Sequence, residues 1–288
     1  MTELSPIEID PETFLYKHNT LPALPKILTS IQEIMYSDNI SVKKIADLIR
    51  NDPSLVAQVL KLVNSAFYSL PNEIADVNLA VAYMGIHEVY RVILSFAVFK
   101  NLACEDKDEF NQIWFHSLYT ALCAKYLSER YEPLLPGEEL WSASILHDIG
   151  KIVYLKFFPD HYRTLQQYCK THGCFFNEAE KQHQLPESGY IGTLLCNYWR
   201  LPDKIKNACQ YHGLKDFLDI KGDSLTDAFT RIICMANLTA LMTSGHLNKE
   251  RKVQITKAIN TTMNLKESDL MIIMGDIYDL RQKAEEFM

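Results

Sequence analysis

The sequence predicts an all-α protein, and three observations carry that reading. Apolar residues recur with a helical period in segment after segment, alternating strand patterns are scarce, and turn-forming glycine is rare. Only 10 of the 288 residues are glycine, about half the usual frequency, and no Asn-Gly or Asp-Gly pair is present. The same scarcity speaks against hairpin-rich β folds and glycine-looped nucleotide folds. With 48% hydrophobic and 23% charged residues the chain is globular rather than disordered. Its length suits one large domain or two ordinary ones, enough to bury roughly three quarters of the unfolded surface.

The elements follow in order. A first helix is expected over 22–36. Ser41 opens a second, with Val42, Ile45, Leu48 and Ile49 on one face. Asp52-Pro53 supplies an N-cap and an N1 proline, and Leu55, Val56, Val59, Leu60 and Val63 then mark an amphipathic helix. Asn78 to Lys100 reads as an apolar helix pair interrupted at Gly85. At Glu105 to Glu109 (EDKDE) charge replaces apolar character, which suggests a solvated loop and a boundary. The chain is therefore divided into an N-terminal helical half, 1–108, and a C-terminal half, 109–288, packed together as one unit. Helical patterns in the second half cover 111–130, 137–157, 160–171, 187–199, 202–212, 224–244, 249–263 and 267–287.

Charge and cysteine usage exclude several classes. Lys and Arg number 29 against 36 Asp and Glu, giving a formal charge of −7 and no basic footprint for nucleic acid. The longest apolar run, VILSFAVF at 92–99, is far short of the roughly 20 residues of a membrane helix. MTELSPIEIDPETF has neither a basic n-region nor an apolar h-region, so no secretory signal is expected and the location is read as cytoplasmic. The seven cysteines are scattered, odd in number and without a C-x-x-C pair, which disfavours a disulfide scaffold or zinc ribbon. Most are expected to be small core residues.

The sharpest chemical signal is Leu146-His147-Asp148-Ile149-Gly150-Lys151, placed at the end of the helix starting near Gly137. Adjacent His and Asp on one helix diverge by about 100°, so they share a metal only if further ligands arrive from other helices. A buried His with Asp148 capping a helix end is the bland alternative. His116 lies on a stripe with Thr120, Cys123 and Leu127 that should face inward, where an unsatisfied imidazole would cost on the order of 1–3 kcal/mol. His212 precedes Gly213, an expected helix C-cap, and could serve the cap itself. The other histidines have no comparable context.

The order His116, then His147-Asp148, then His212 resembles the HD superfamily of helical metal-dependent phosphohydrolases. The N-terminal half narrows this. LPALPKIL, IADLIRNDPSLVAQVLKLVNSAFYSLP and VNLAVAYMGIHEVYRVILSFAVF, all within 21–100, are similar to the HD-related output domain, HDOD. The C-terminal half agrees through Trp114-x-His116-Ser117, LHDIGK at 146–151, Glu180, GYIGTLLCNYW at 189–199, Leu201-Pro202 and Tyr211-His212. The resemblance spans about 14–245. It implies an HD-like helical bundle and a metal set of His116, His147, Asp148 and a distal Asp, but the distal position is Asn237. It also implies two further histidines for a second metal, of which His212 is present and the other, four residues before Gly192, is Ser188.

Losing a ligand from each set argues against robust phosphoester hydrolysis, which needs a metal-bound hydroxide and charge clamping. The resemblance then implies a bacterial, non-catalytic signal-transduction output or adaptor module with a degraded metal site. No cofactor is required, although a divalent metal ion at the residual site is compatible with it. A signalling protein is the expected partner, and a nucleotide-type ligand, with Lys151 on its phosphate, is a second; membrane and nucleic acid are not indicated. The alternative is a metal-dependent phosphohydrolase of nucleotides or cyclic dinucleotides. A candidate interaction surface lies at Asn64, Ser65, Phe67 and Tyr68, where NSAFYSLP joins two helices and offers aromatic side chains. The bland reading there is that these residues fix the turn and fill the core.

Overall fold

A computed structural model describes residue 7 and residues 26–37, 40–65, 68 and 70–287. Among the described residues every regular element is a helix and no strand is present. They fall into two compact units, one of residues 103–284 with residue 7 and the other of the described residues up to Leu102 together with 285–287.

The N-terminal unit holds α1 (Lys26–Met35), α2 (Val42–Arg50), α3 (Pro53–Val63), α4 (Val77–Met84) and α5 (Ile86–Leu102). Its starts follow the expected capping chemistry. Asp52 accepts from the Ser54 and Leu55 amides with Pro53 at the first position, and Asp76 accepts from Leu79. Gly85 adopts φ +81°, a conformation that favours glycine, and there α4 and α5 turn by 109°. Ile45, Ile49, Val59, Leu62, Val89 and Ile93 form part of this unit's core. Among the described residues no single helix is long and apolar enough to cross a membrane; α4 and α5 reach that length only as this bent pair.

The C-terminal unit starts with α6 (Lys107–Tyr131), followed by α7 (Gly137–Leu146), α8 (Ile149–Phe157), α9 (Pro159–His172) and α10 (Phe176–Gln182). Then come α11 (Ser188–Tyr198), α12 (Asp203–Gln210), α13 (Leu214–Asp219), α14 (Leu225–Thr243), α15 (Lys249–Thr262) and α16 (Glu267–Phe287). Long α6 lies against α7 and α14, and α11 lies against α8 and α12.

Three expectations need correction. The charged stretch at 105–109 is a loop only at its beginning. Asp106 caps α6 by accepting from the Glu109 amide at 3.4 Å, and Asp108 and Glu109 sit in the first turn, where the helix dipole favours acidic side chains. The segment 137–157 is two helices, because Asp148, with φ −99° and ψ 16°, leaves the helical path between α7 and α8. Gly213 is not a left-handed C-cap: with φ −92° it is the N-cap of α13. Five of the seven cysteines are buried and all are free thiols, as small core residues would be.

Candidate functional site

The break between α7 and α8 builds the site. With Asp148 off the helical path, His147 and Asp148 both turn inward, although adjacent residues on a regular helix would diverge. His116 comes from α6, His212 from the segment after α12, and Asn237 from α14. The His147 ring centroid lies 5.3 Å from that of His116 and 4.9 Å from that of His212. All three rings surround the Asp148 carboxylate, whose side chain is 2% exposed. Oδ2 lies 3.6 Å from His116 Nε2 and 3.4 Å from His147 Nε2, while Oδ1 lies 3.4 Å from His212 Nε2. Lys151, one turn along α8, brings Nζ to 2.7 Å from Oδ2.

The hydrogen bonds assign the protons. His147 Nδ1 donates to the Ser144 carbonyl at 2.5 Å, so its Nε2 carries a lone pair, and that buried nitrogen has no hydrogen-bond partner. His212 Nδ1 likewise donates to the Ala208 carbonyl at 2.8 Å. His116 differs. Asn237 Nδ2 donates to the His212 carbonyl at 2.9 Å, which fixes the orientation of the amide and leaves Oδ1 facing His116 Nε2 at 2.9 Å. His116 Nε2 must therefore carry the proton and donate. The amide ties together residues from α6, α14 and the α12–α13 connection.

Burial sets the charge states. It pushes His116 down to about 4 and His147 down to about 3, outweighing the attraction of Asp148. For Asp148, burial raises the pKa, but Lys151 and the surrounding histidines hold it well below the usual carboxylate range. The cluster thus sets neutral His116 and His147 beside one carboxylate, balanced by one ammonium.

Ser188 begins α11 and donates its backbone N–H to Glu180 Oε1 at 2.8 Å. Glu180 is fully buried, and burial raises its pKa to about 7 against the opposing hydrogen bonds from Ser188. A Cβ on Gly150 would lie 1.8 Å from the Ser188 carbonyl oxygen, so α8 and α11 meet backbone to backbone. His116, Asp148, Lys151, Glu180, Ser188 and His212 line one cavity of about 520 Å³.

His116, His147, Asp148, His212 and Asn237 are brought together, and Ser188 lines the same cavity. The group at 64–68 lies in the other unit. There Asn64 Nδ2 donates to the Ile74 carbonyl at 2.8 Å and Oδ1 accepts from the Ile74 amide at 2.7 Å, while Ser65 Oγ donates to Leu62. Tyr68 donates to the buried Glu88 carboxylate at 3.0 Å and meets Tyr83 edge-on. Phe67 lies outside the described residues. The direct role of Lys151 as the counter-ion of Asp148 escaped the sequence reading, although the i,i+3 spacing on one helix was a usable signal.

The family model of the HDOD domain matches residues 21–214. An uncharacterized protein of Treponema pallidum (strain Nichols) is 25% identical over 203 residues, 67% of this chain, and the match spans 37% of that protein's length. The crystal structure of an HDOD domain protein of unknown function from Geobacter sulfurreducens aligns with a TM-score of 0.71 at 22% identity, covering 96% of this chain and 97% of the other. A protein of Shewanella amazonensis SB2B, described as a candidate metal-dependent phosphohydrolase, aligns with a TM-score of 0.67 at 17% identity, covering 92% of each chain. The helical architecture and the family match agree: the chain belongs to the HDOD domain family.

Proposed function

We propose that this protein is a non-catalytic signal-transduction output or adaptor module. The two halves, divided near residue 108, act as one HDOD unit in a bacterial cytoplasm. The observation that carries this reading is the Asn237 amide. It accepts the proton of His116 Nε2 and donates to the His212 carbonyl, so the position that would supply an anionic ligand instead closes a neutral hydrogen-bond network. Lys151 supplies the compensating charge for Asp148.

The atoms of His116, His147 and Asp148 lie within 4.8 Å of one another, close enough to share one cation. The unpartnered His147 Nε2 and Asp148 Oδ1 fit a divalent ion, and His116 joins them only by giving up its bond to Asn237. Such an ion, when bound, would supply Lewis-acid polarisation of a phosphoryl oxygen. The proposed role does not require it. The expected partner is a signalling protein, and an interaction surface at Asn64, Ser65, Phe67 and Tyr68 is part of this proposal, Tyr68 lying beside the exposed Tyr83. A nucleotide-type ligand in the cavity is compatible with it.

The same two unpartnered atoms favour one alternative, a metal-dependent phosphohydrolase of nucleotides or cyclic dinucleotides. The test is complementation of the deletion strain together with hydrolysis assays in Mn²⁺. A folded His147→Ala variant should complement as well as the wild type, and neither should hydrolyse these substrates. Turnover near the ordinary enzyme range of roughly 1 per second or faster, lost together with complementation in His147→Ala, would overturn the proposal.

A further inference from the structure

The cavity over the histidine cluster continues along α14 to a second, cationic end. Thr243 lies six residues beyond Asn237, about 9 Å along the helix at 1.5 Å per residue. There Arg281 donates from Nη1 to the Thr243 carbonyl at 2.8 Å, with its guanidinium 5.5 Å from the centre of the Phe115 ring. Phe115 is itself stacked on Tyr119, with centroids 5.9 Å apart. Lys170, at the end of α9, lines the same cavity and has the Glu109 carboxylate as a partner at 3.6 Å. The guanidinium is therefore held in place before any ligand arrives, which reduces the ordering cost of binding.

Three further features point to a small molecule. A cavity of about 520 Å³ falls in the range that takes drug-sized ligands. Five Lys and Arg against four Asp and Glu line it, so its balance is opposite in sign to that of a chain carrying −7 overall. Towards the other end, Glu180 Oε2 is buried without a hydrogen-bond partner, a state that calls for an explanation. The wall also carries Phe176, which packs under the Lys151 ammonium.

We propose that this cavity is a binding site for a small aromatic anion, with its anionic group held by Arg281 and Lys170 and its flat body lying along Phe115. The site does not depend on the non-catalytic reading, because neither Arg281 nor Lys170 belongs to the histidine cluster. A signalling module would use it to sense a metabolite, and a hydrolase would use it to orient a substrate.

The test compares two fluorescent probes on the whole protein: 1-anilinonaphthalene-8-sulfonate and its neutral analogue N-phenyl-1-naphthylamine. The sulfonate probe is expected to saturate at one site per chain and to bind at least tenfold more tightly than the neutral one. Lys170→Gln and Arg281→Gln, each checked for folding by its circular dichroism melt, should each weaken the sulfonate probe at least threefold and leave the neutral probe unchanged. Lys170 is a surface residue, so its variant keeps the test decisive if Arg281→Gln fails to fold. Equal affinity for the two probes, more than one site per chain, or a folded Lys170→Gln variant with undiminished sulfonate affinity would overturn the assignment.

Discussion

Replacing Asn237 by aspartate removes one donor and adds one charge, and both changes can be weighed from the structure. The amide donates to the His212 carbonyl at 2.9 Å, and a carboxylate oxygen in that place would face the carbonyl oxygen instead. Losing that bond and opposing two acceptors should cost the metal-free protein about 1–3 kcal/mol. For a chain of this size each kcal/mol lowers Tm by roughly 2–4 °C, so a drop of about 2–12 °C is expected in EDTA. With a divalent cation the sign reverses. Two unit charges about 4 Å apart attract by about 4 kcal/mol at an effective dielectric constant near 20 and a divalent ion doubles that, so even if desolvation takes back half, almost a thousandfold in affinity remains. Isothermal titration with MnCl₂ and elemental analysis after gel filtration should show at least a hundredfold tighter binding by Asn237→Asp than by the wild type. Its Tm should also rise above its own EDTA value on addition of Mn²⁺. A folded Asn237→Asp variant that binds Mn²⁺ no more tightly than the wild type would refute the role given to the amide.

Three other perturbations probe the surrounding frame. The folded His116 and His147 resist protonation down to about 4 and about 3, whereas unfolded histidine titrates near 6.5, so their contribution is complete above 6.5 and is lost as pH falls through that window. Glu180 runs the other way: raised from 4.5 to about 7, it favours the fold below 4.5 and loses that contribution as pH rises through 7. Glu180→Gln keeps an acceptor for the Ser188 amide but removes this opposing trend, so its Tm should rise more steeply than that of the wild type between pH 4.5 and 7; parallel profiles would contradict this account. Gly150→Ala drives a Cβ to 1.8 Å from a backbone oxygen and should cost at least the roughly 1–3 kcal/mol typical of overpacking, and an unchanged melt would show that α8 and α11 are not in this contact. Tyr68→Phe takes a donor from the buried Glu88 and should lower stability by about 1–3 kcal/mol in urea unfolding, whereas no loss would favour an interface role for the tyrosine.

The sequence was readable where local physics decides the outcome. Asp52-Pro53 and Gly85 each leave an unambiguous chemical mark, and the structure places α3 and the α4–α5 turn there. Helix periodicity could not see the break at Asp148, because Ile145, Leu146, Ile149 and Ile152 continue the apolar pattern across it. What breaks the helix is the long-range demand of the cluster and the backbone contact between Gly150 and Ser188, residues 38 apart in the chain. The short helices α10 and α13 went unseen for lack of length. The candidate ligands were legible only as a set in order along the chain. Their proton assignments depend on the Ser144, Ala208 and His212 carbonyls, and no spacing rule points to backbone acceptors.

Charge balance links Asn237 to Lys151. Asp148 contributes −1 and Lys151 +1 within 2.7 Å, and His116, His147 and Asn237 are neutral, so these members sum to zero without any ion. Asn237→Asp breaks that balance by adding an anion, and Lys151→Met breaks it by removing the cation. The second change leaves a carboxylate with 2% exposure uncompensated, which typically costs about 3–5 kcal/mol, and at roughly 2–4 °C per kcal/mol the melt should fall by about 6–20 °C at pH 8 in EDTA. Two independent supplies of positive charge should restore it. Lowering the pH towards 5.5 should help because the Lys151 ammonium opposes protonation of His116, and without it that imidazole beside Asp148 becomes easier to protonate. Adding Mn²⁺ at pH 8 should help by mass action, by an amount that grows with ion concentration. Thermal melts of Lys151→Met across pH and Mn²⁺ concentration therefore decide the matter. Wild-type stability at pH 8 in EDTA, or a loss that neither acid nor Mn²⁺ reverses, would show that Asp148 does not rely on Lys151 for its charge.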